Sequence, residues 1–90
     1  MKVYLDDERE TPTGWVGVST PEEVIHLLEN YDVEELSLDH DLGIDKTGYS
    51  VILWLEEKVI LEGFKPPKIR VHSSNPAGRN RMLQGIEKIN

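Results

Sequence analysis

A chain of 90 residues with a formal net charge of −7 is long enough for one small domain, and we expect a single domain over residues 1–90. It contains no cysteine, which excludes a disulfide framework and a thiolate metal site. The negative charge argues against general capture of a nucleic-acid backbone, because such capture depends on clustered Lys and Arg.

The start of the chain does not have the pattern of a signal peptide. Asp6 and Asp7 come too early for the apolar region of such a peptide, and no apolar run approaches the roughly 20 residues of a membrane span. We therefore expect a cytoplasmic protein with no membrane partner.

The first half of the chain predicts two strands followed by a helix. Residues 2–6 and 15–18 have the apolar character of short strands. Thr20, Pro21 and Glu23 then form a helix start, because the Thr20 hydroxyl can accept the Glu23 amide and proline suits the first helical position.

The second half alternates strands and helices. We predict a strand at 34–39, a helix from 49 to about 62 that ends at Gly63, a strand at 69–71 and a helix that begins at Asn75 and Pro76. The segment from Val51 to Leu55 is apolar almost all round, which indicates either a buried helix or one that meets a protein partner or a second copy of the chain.

This order predicts an α/β fold with a mostly parallel four-stranded sheet. Right-handed crossovers would place helices on both faces and make three layers. The link from the first strand to the second, about eight residues, is short for a parallel crossover and leaves the direction of the second strand open.

Polar clusters follow three of the predicted strands. They are Asp6-Asp7, Asp39-His40-Asp41 and His72-Ser73-Ser74-Asn75. Because the ends of parallel strands meet at one sheet edge, where ligands of open α/β sheets bind, we expect a common pocket there.

The carboxylates of this pocket predict a divalent cation. Asp6 and Asp7 repel each other unless a cation such as Mg²⁺ lies between them, and Asp39 and Asp41 offer further oxygen ligands. Asp39 is also suited to be a nucleophile that accepts a phosphoryl group. The alternatives are an acidic surface turn at Asp6-Asp7 and a helix-capping cluster at residues 39–41.

The third cluster predicts an anion site. Ser73, Ser74 and Asn75 precede a helix whose first turn offers free N–H groups and a positive dipole end, although simple capping also explains them. Arg79 opposes that dipole, so it is either an anion contact or a solvated charge.

The motifs YLDDER, SLDHDLG and VHSSNP together resemble a receiver domain of the two-component type, in a truncated, flavodoxin-like form. More closely, nearly the whole chain resembles the bacterial cyclic-phosphate processing receiver domains. The resemblance implies that Asp6 and Asp7 hold Mg²⁺, that Asp39 is the phosphoacceptor and that Ser73 meets the phosphoryl group. It also implies that the backbone carbonyl of Asp41 completes the metal site.

The chain departs from the receiver pattern in two places. Within residues 1–90 we expect neither a helix after the first strand nor a fifth strand with the lysine that pairs with the phosphate in receivers. Arg79 and Arg70 are the candidates for that charge. If the ligand is a cyclic phosphate, His40 and His72 become candidate acid and base groups.

Three functions follow from these features. The first is a receiver-like domain that binds or accepts a phosphoryl group and accompanies phosphate or cyclic-phosphate processing or signalling. Its partner would be a phosphoryl donor, a phosphorylated small molecule or an RNA end. The second is a small metal-dependent phosphohydrolase, because Asp39 and Asp41 resemble the Asp-x-Asp pair of haloacid dehalogenase-type phosphatases. The third is a non-catalytic protein-interaction module, so whether the chain is an enzyme stays open.

Overall fold

The strands and helices follow the predicted order in the computed structural model, which describes residues 1–42 and 47–89. They are β1 (Lys2–Leu5), β2 (Val16–Val18), α1 (Pro21–Asn30), β3 (Glu35–Leu38), α2 (Tyr49–Glu62), β4 (Lys68–Val71) and α3 (Pro76–Ile89). Gly43, the last residue of the second motif, lies outside the described residues.

Local sequence signals set the ends of two helices. The hydroxyl of Thr20 accepts the backbone N–H of Glu23 at 3.3 Å and donates to the Glu23 carboxylate at 2.9 Å, and Pro21 occupies the first helical position. At the C-terminal end of α2, Gly63 has a left-handed φ of 65°, a conformation that glycine adopts without steric cost. The predicted start of α1 and end of α2 are therefore confirmed.

The four strands form one parallel sheet in the order β2-β1-β3-β4. The direction of β2, which the sequence left open, is parallel to β1, with Val3 opposite Val16. The predicted α/β fold with a parallel four-stranded sheet is thus confirmed.

The connection from β1 to β2 crosses the sheet without a helix. Since β2 and β3 lie on opposite sides of β1, a right-handed connection to β2 passes over the face opposite to that of the later crossovers. Gly17 marks this crossing, because a Cβ atom there would overlap the side chain of Thr11. The parallel crossover from β1 to β2 is therefore made by a short loop that packs against the sheet, and not by a helix.

One hydrophobic core lies between the sheet and the three helices. The sheet contributes residues that share a face by register, and the helices contribute their buried residues: Val3, Leu5, Leu36, Leu38, Val24, Leu28, Val51, Ile52, Leu55, Met82, Ile86 and Ile89. In addition, α2 contacts both α1 and α3. The described helices therefore lie on one face, and the domain has two main layers where we predicted three. The reason is that all crossovers after β2 run in the same direction along the sheet.

The opposite face of the sheet carries polar and aromatic side chains. The ring of Tyr4 stacks on that of His72, with centroids 4.2 Å apart, and meets Trp15 edge to face at 6.2 Å. Arg70 on the same face lies 3.8 Å from the carboxylate of Glu35. This face leads directly to the carboxyl ends of β1, β3 and β4.

The helix α2 is mostly a core helix in the segment that we considered as a partner surface. Val51, Ile52 and Leu55 are fully buried, whereas Leu53 is 50% exposed. The larger exposed apolar side chains lie in the last turns of the helix, at Ile60 and Leu61. Within the described residues, no helix has the length and apolar character needed to cross a membrane.

Candidate metal and phosphoryl site

Three carboxylates meet where the central strands end. Asp6, Asp7 and Asp39 each offer an oxygen, and these oxygens all lie within 4.8 Å of one another. The backbone ladder places them there, since Asp39 N–H donates to the Leu5 carbonyl at 3.0 Å and Asp6 N–H donates to the Val18 carbonyl at 3.0 Å. The predicted gathering of acids at one sheet edge is what the described residues show, while their role stays a prediction.

The carboxylate of Asp6 is already held by the protein. Its Oδ1 accepts the backbone N–H groups of Glu8 and Arg9, both at 2.8 Å, and its Oδ2 lies 3.0 Å from Nε2 of His72. Burial by itself raises the pKa of Asp6, but these hydrogen bonds outweigh it and hold the pKa below its usual value. Because a carboxylate has about four lone-pair positions, Asp6 keeps about one, on Oδ2, for a cation.

His72 connects Asp6 to the middle of the sheet. Its Nδ1 lies 2.7 Å from the hydroxyl oxygen of Ser37, a side chain buried in β3. Burial lowers the pKa of His72, despite the nearby Asp6 carboxylate that favours the charged ring. A neutral ring that donates from Nε2 to Asp6 and accepts from Ser37 at Nδ1 satisfies all three groups. Both ring nitrogens are therefore engaged within the protein, and His72 positions Asp6 instead of presenting a free acid or base to the pocket.

Asp41 and His40 join the loop after β3 to the start of α3. Nδ1 of His40 lies 2.8 Å from the Asp41 carboxylate, and the amide of Asn75 donates to the same oxygen at 3.4 Å. Asn75 also caps α3, because its side-chain oxygen accepts the N–H of Gly78 at 3.1 Å. The hydrogen bond from His40 is the main reason that the pKa of Asp41 is lowered. The Asp41 carboxylate is thus an ionised group with two partners.

A polar cavity of about 350 Å³ contains the acid cluster. Its described lining comprises Asp6, Asp7, Glu8, Arg9, Asp39, Asp41 and Ser74. Ser73 and Arg79 line a neighbouring cavity of about 520 Å³, which shares Ser74 with the first. The hydroxyl of Ser73 accepts the backbone N–H of Asn75 at 3.1 Å. Of the predicted phosphate-binding residues, Ser74 therefore lines both cavities, Ser73 and Arg79 line the neighbouring one, and Asn75 is in the described lining of neither.

The two arginines that we considered as replacements for the receiver lysine do not line the acidic cavity. Arg70 points along the sheet to Glu35, and Arg79 lines the neighbouring cavity. The cation among the described lining residues is Arg9, which the sequence reasoning did not single out. Its position two residues after Asp7 was the available signal, but an arginine in an acidic turn is also a common solvated charge.

The chemistry of these donors suits Mg²⁺. A hard cation takes oxygen ligands and keeps several waters, so it needs only one or two carboxylates and removes the repulsion among three. Asp7 is exposed and Asp39 is partly exposed, so these two carboxylates are the accessible ones that would hold such an ion. Asp6 would add its remaining Oδ2 position.

A parallel α/β sheet with carboxylates at its carboxyl edge and a helix start beside them defines a receiver-like domain. The sequence profile of the cyclic-phosphate processing receiver domain matches residues 1–88. The chain belongs to this family, and the family resemblance of its three motifs is confirmed. Comparisons with curated proteins and with solved structures give no match.

Proposed function

We propose that this domain binds a phosphoryl group in an Mg²⁺-dependent pocket and accepts it on Asp39. The observation that carries this proposal is the meeting of Asp6, Asp7 and Asp39 within 4.8 Å in a chain that matches the receiver family over residues 1–88. Three carboxylates this close are costly without a cation. A cation in turn makes the site attractive to a phosphoryl oxygen.

The chemistry assigned to Asp39 is an in-line displacement. With acetyl phosphate as donor, a carboxylate oxygen of Asp39 attacks phosphorus, the bond from phosphorus to the acetyl oxygen breaks, and acetate leaves with the bonding electrons. Bound Mg²⁺ would supply charge neutralisation at the transferred group. The hydroxyl of Ser74, which lines the same cavity, would donate to a phosphoryl oxygen.

The family description and the pocket together suggest the class of natural ligand. We propose a phosphorylated small molecule or a cyclic-phosphate RNA end. The domain would bind the phosphoryl oxygens of this ligand. It would not bind an RNA backbone through general charge attraction, because the chain has a net charge of −7. The domain would accompany phosphate processing or signalling.

Hydrolysis by an Asp39–Asp41 pair is the second candidate, because both residues line the same cavity. A phosphohydrolase of this type needs a protonated second carboxyl to act as general acid. Asp41 has a lowered pKa and two hydrogen-bond partners, which favours the ionised form. We therefore rank phosphoryl acceptance above turnover.

The deciding experiment incubates the protein with acetyl phosphate, with and without Mg²⁺, and follows the intact mass. We expect a single phosphoryl adduct that requires Mg²⁺ and is lost in Asp39→Asn. Asp32→Asn, which removes an exposed acid far from the pocket, is the matched control and should keep the adduct.

A parallel incubation uses a phosphomonoester and a 2′,3′-cyclic nucleotide. Multiple turnovers that disappear in both Asp39→Asn and Asp41→Asn would favour the phosphohydrolase. If the protein gives neither an adduct nor turnover, and Mg²⁺ changes nothing, the phosphoryl proposal is wrong and the interaction module becomes the better account.

A further inference from the structure

The guanidinium group of Arg9 lies on the wall of the acidic cavity. Its Nη1 donates to the backbone carbonyl of His72 at 2.6 Å, and its Nε is 3.9 Å from Oδ2 of Asp6. The side chain is 48% exposed and lines the same cavity as Asp7 and Asp39. It therefore reaches from the end of β1 to the end of β4 at the mouth of the pocket.

The neighbouring carboxylate does not by itself explain this placement. Asp6 already accepts two backbone N–H groups and the His72 ring, and 3.9 Å is too long for a hydrogen bond. Asp6 instead fixes where the Arg9 side chain starts, because the backbone N–H of Arg9 is one of its two main-chain donors. The turn at Asp6 thus aims a cation at the cavity.

Most of the hydrogen-bonding capacity of Arg9 remains for a ligand. The bond to the His72 carbonyl uses one of the five N–H donors of a guanidinium. A planar fork of such donors matches two oxygens of a phosphoryl group, which a single ammonium cannot do. The anchor to His72 also reduces the conformational freedom that Arg9 would lose on binding.

The acidic cavity needs a positively charged side chain if it is to bind a phosphoryl anion. A phosphoryl group carries close to two negative charges and would enter a space already walled by Asp6, Asp7, Asp39 and Asp41. Among the described lining residues, Arg9 is the one cation. Of the other arginines, Arg81 on α3 lies over the ring of Tyr49 on α2.

We propose that Arg9 binds two oxygens of the phosphoryl group at Asp39 and so determines that this pocket takes phosphoryl anions in addition to the cation. This assignment rests on the proposed function of the site. It makes Arg9 a binding residue that contacts the ligand directly, while His72 and Asp6 hold it in place.

The test compares binding of Mg²⁺ alone with binding of beryllofluoride, a phosphoryl analogue, in saturating Mg²⁺, both followed by the shift in melting temperature. We expect Arg9→Gln to weaken beryllofluoride about tenfold to a hundredfold, the range for losing hydrogen bonds to a charged group. The same variant should bind Mg²⁺ as tightly as wild type or more tightly, because a cation next to the metal ligands has been removed.

Two further variants separate charge, geometry and fold. Arg9→Lys keeps the charge and loses the fork, so its beryllofluoride affinity should lie between those of wild type and Arg9→Gln. Arg81→Gln, the matched control on α3, should leave both affinities unchanged. A merely structural Arg9 would instead lower the ligand-free melting temperature and weaken both ligands alike.

The outcomes distinguish this inference from the proposal beneath it. If wild type binds beryllofluoride and Arg9→Gln binds it equally well, or if Arg79→Gln alone loses it, the assignment to Arg9 is wrong while the phosphoryl site stands. If wild type binds Mg²⁺ but no beryllofluoride and forms no adduct with acetyl phosphate, the proposed function fails and this inference fails with it.

Discussion

His72 and Asp6 are joined across the sheet, because Nε2 of His72 at the end of β4 lies 3.0 Å from Oδ2 of Asp6 at the end of β1. The two strands are not neighbours, since β3 lies between them. The side chain of Ser37 on β3 completes the chain of contacts at 2.7 Å from the other ring nitrogen. Three strand ends are thus held by one imidazole, which sets the orientation of the carboxylate at the centre of the candidate site.

This imidazole predicts a pH dependence of stability. The pKa of His72 in the folded protein is lowered from 6.5, so the unfolded chain takes up a proton before the folded one as the pH falls. The stabilisation is therefore fully present above about pH 6.5 and is lost as the pH falls through the folded pKa. Asp6 and Asp41, whose pKa values are lowered from 3.8, act in the same direction but only below about pH 4.

His72→Phe tests this dependence, because it keeps an aromatic ring on Tyr4 and removes both hydrogen bonds. We expect the free energy of unfolding at pH 7 to fall by about 1–3 kcal/mol and its slope with pH below about pH 6.5 to decrease. The measurement is urea unfolding in EDTA, with His26→Phe on the exposed side of α1 as control. An unchanged slope in His72→Phe would contradict the assigned role of the ring.

Asp6 and Asp7 are adjacent, but we expect the Asp→Asn substitution to have opposite effects on stability at the two positions. Asp6→Asn keeps one oxygen for the backbone N–H groups of Glu8 and Arg9, but it loses the charge and places an amide NH₂ against the Nε2–H of His72, so the metal-free protein should lose about 1–3 kcal/mol of stability. Asp7→Asn removes an exposed charge from a like-charged cluster, so the metal-free protein should become slightly more stable. Urea unfolding in EDTA measures both free energies.

The stabilisation by Mg²⁺ should also differ between Asp7→Asn and a control variant outside the cluster. For wild type, Mg²⁺ at about 100 times its dissociation constant should add about 2.7 kcal/mol to the free energy of unfolding, and Asp7→Asn should lose most of that gain. Glu10→Gln, with the same change in charge outside the cluster, should keep it. An equal Mg²⁺ effect in Asp7→Asn and wild type would show that the metal binds elsewhere or not at all.

The sequence predicts the elements of the site well because their signals are local. The cap at Thr20, the left-handed glycine at Gly63 and the acids that follow β1 and β3 are each visible within a few residues. Parallel strand topology then brings Asp6 and Asp39 together without further information.

The remaining features depend on contacts between distant parts of the chain. The helices lie on one face because all crossovers after β2 run in the same direction along the sheet, and the sequence alone does not settle this strand order. The sequence makes His72 a candidate acid or base for a cyclic phosphate, but it does not show that the two ring nitrogens bond to Ser37 and Asp6, which are 35 and 66 residues away. The position of the Arg9 side chain was not predicted, because it depends on a hydrogen bond to the backbone carbonyl of His72 at the end of β4.

A matched pair on α2 tests which part of this apolar helix belongs to the core. Leu55 is fully buried, whereas Leu61 is 70% exposed. Leu55→Ala should lower the free energy of unfolding by about 2–5 kcal/mol through lost contacts and a cavity, and Leu61→Ala by about 0.5 kcal/mol or less. Urea unfolding measures both, and equal losses would contradict the packing of α2 described above.

Gly48 is packed closely against the backbone of Asp39. Gly48 has an ordinary helical φ of −65°, so an alanine there is not strained by its own backbone. A Cβ atom at this position would, however, overlap the backbone carbonyl oxygen of Asp39. That oxygen cannot rotate away, so Gly48→Ala should lower the free energy of unfolding by about 2 kcal/mol or more and displace Asp39.

Gly85→Ala is the matched comparison on α3. Its Cβ would lie 2.6 Å from the terminal Cγ2 methyl of Ile52, a side-chain end that can shift, and alanine gains about 1 kcal/mol of helix propensity over glycine. We expect its stability to stay within about 1 kcal/mol of wild type and its response to Mg²⁺ to be unchanged. Gly48→Ala should lose part of the Mg²⁺ stabilisation, since one ligand has moved. If both variants respond to Mg²⁺ like wild type in urea unfolding, the carboxylate of Asp39 is not part of the metal site.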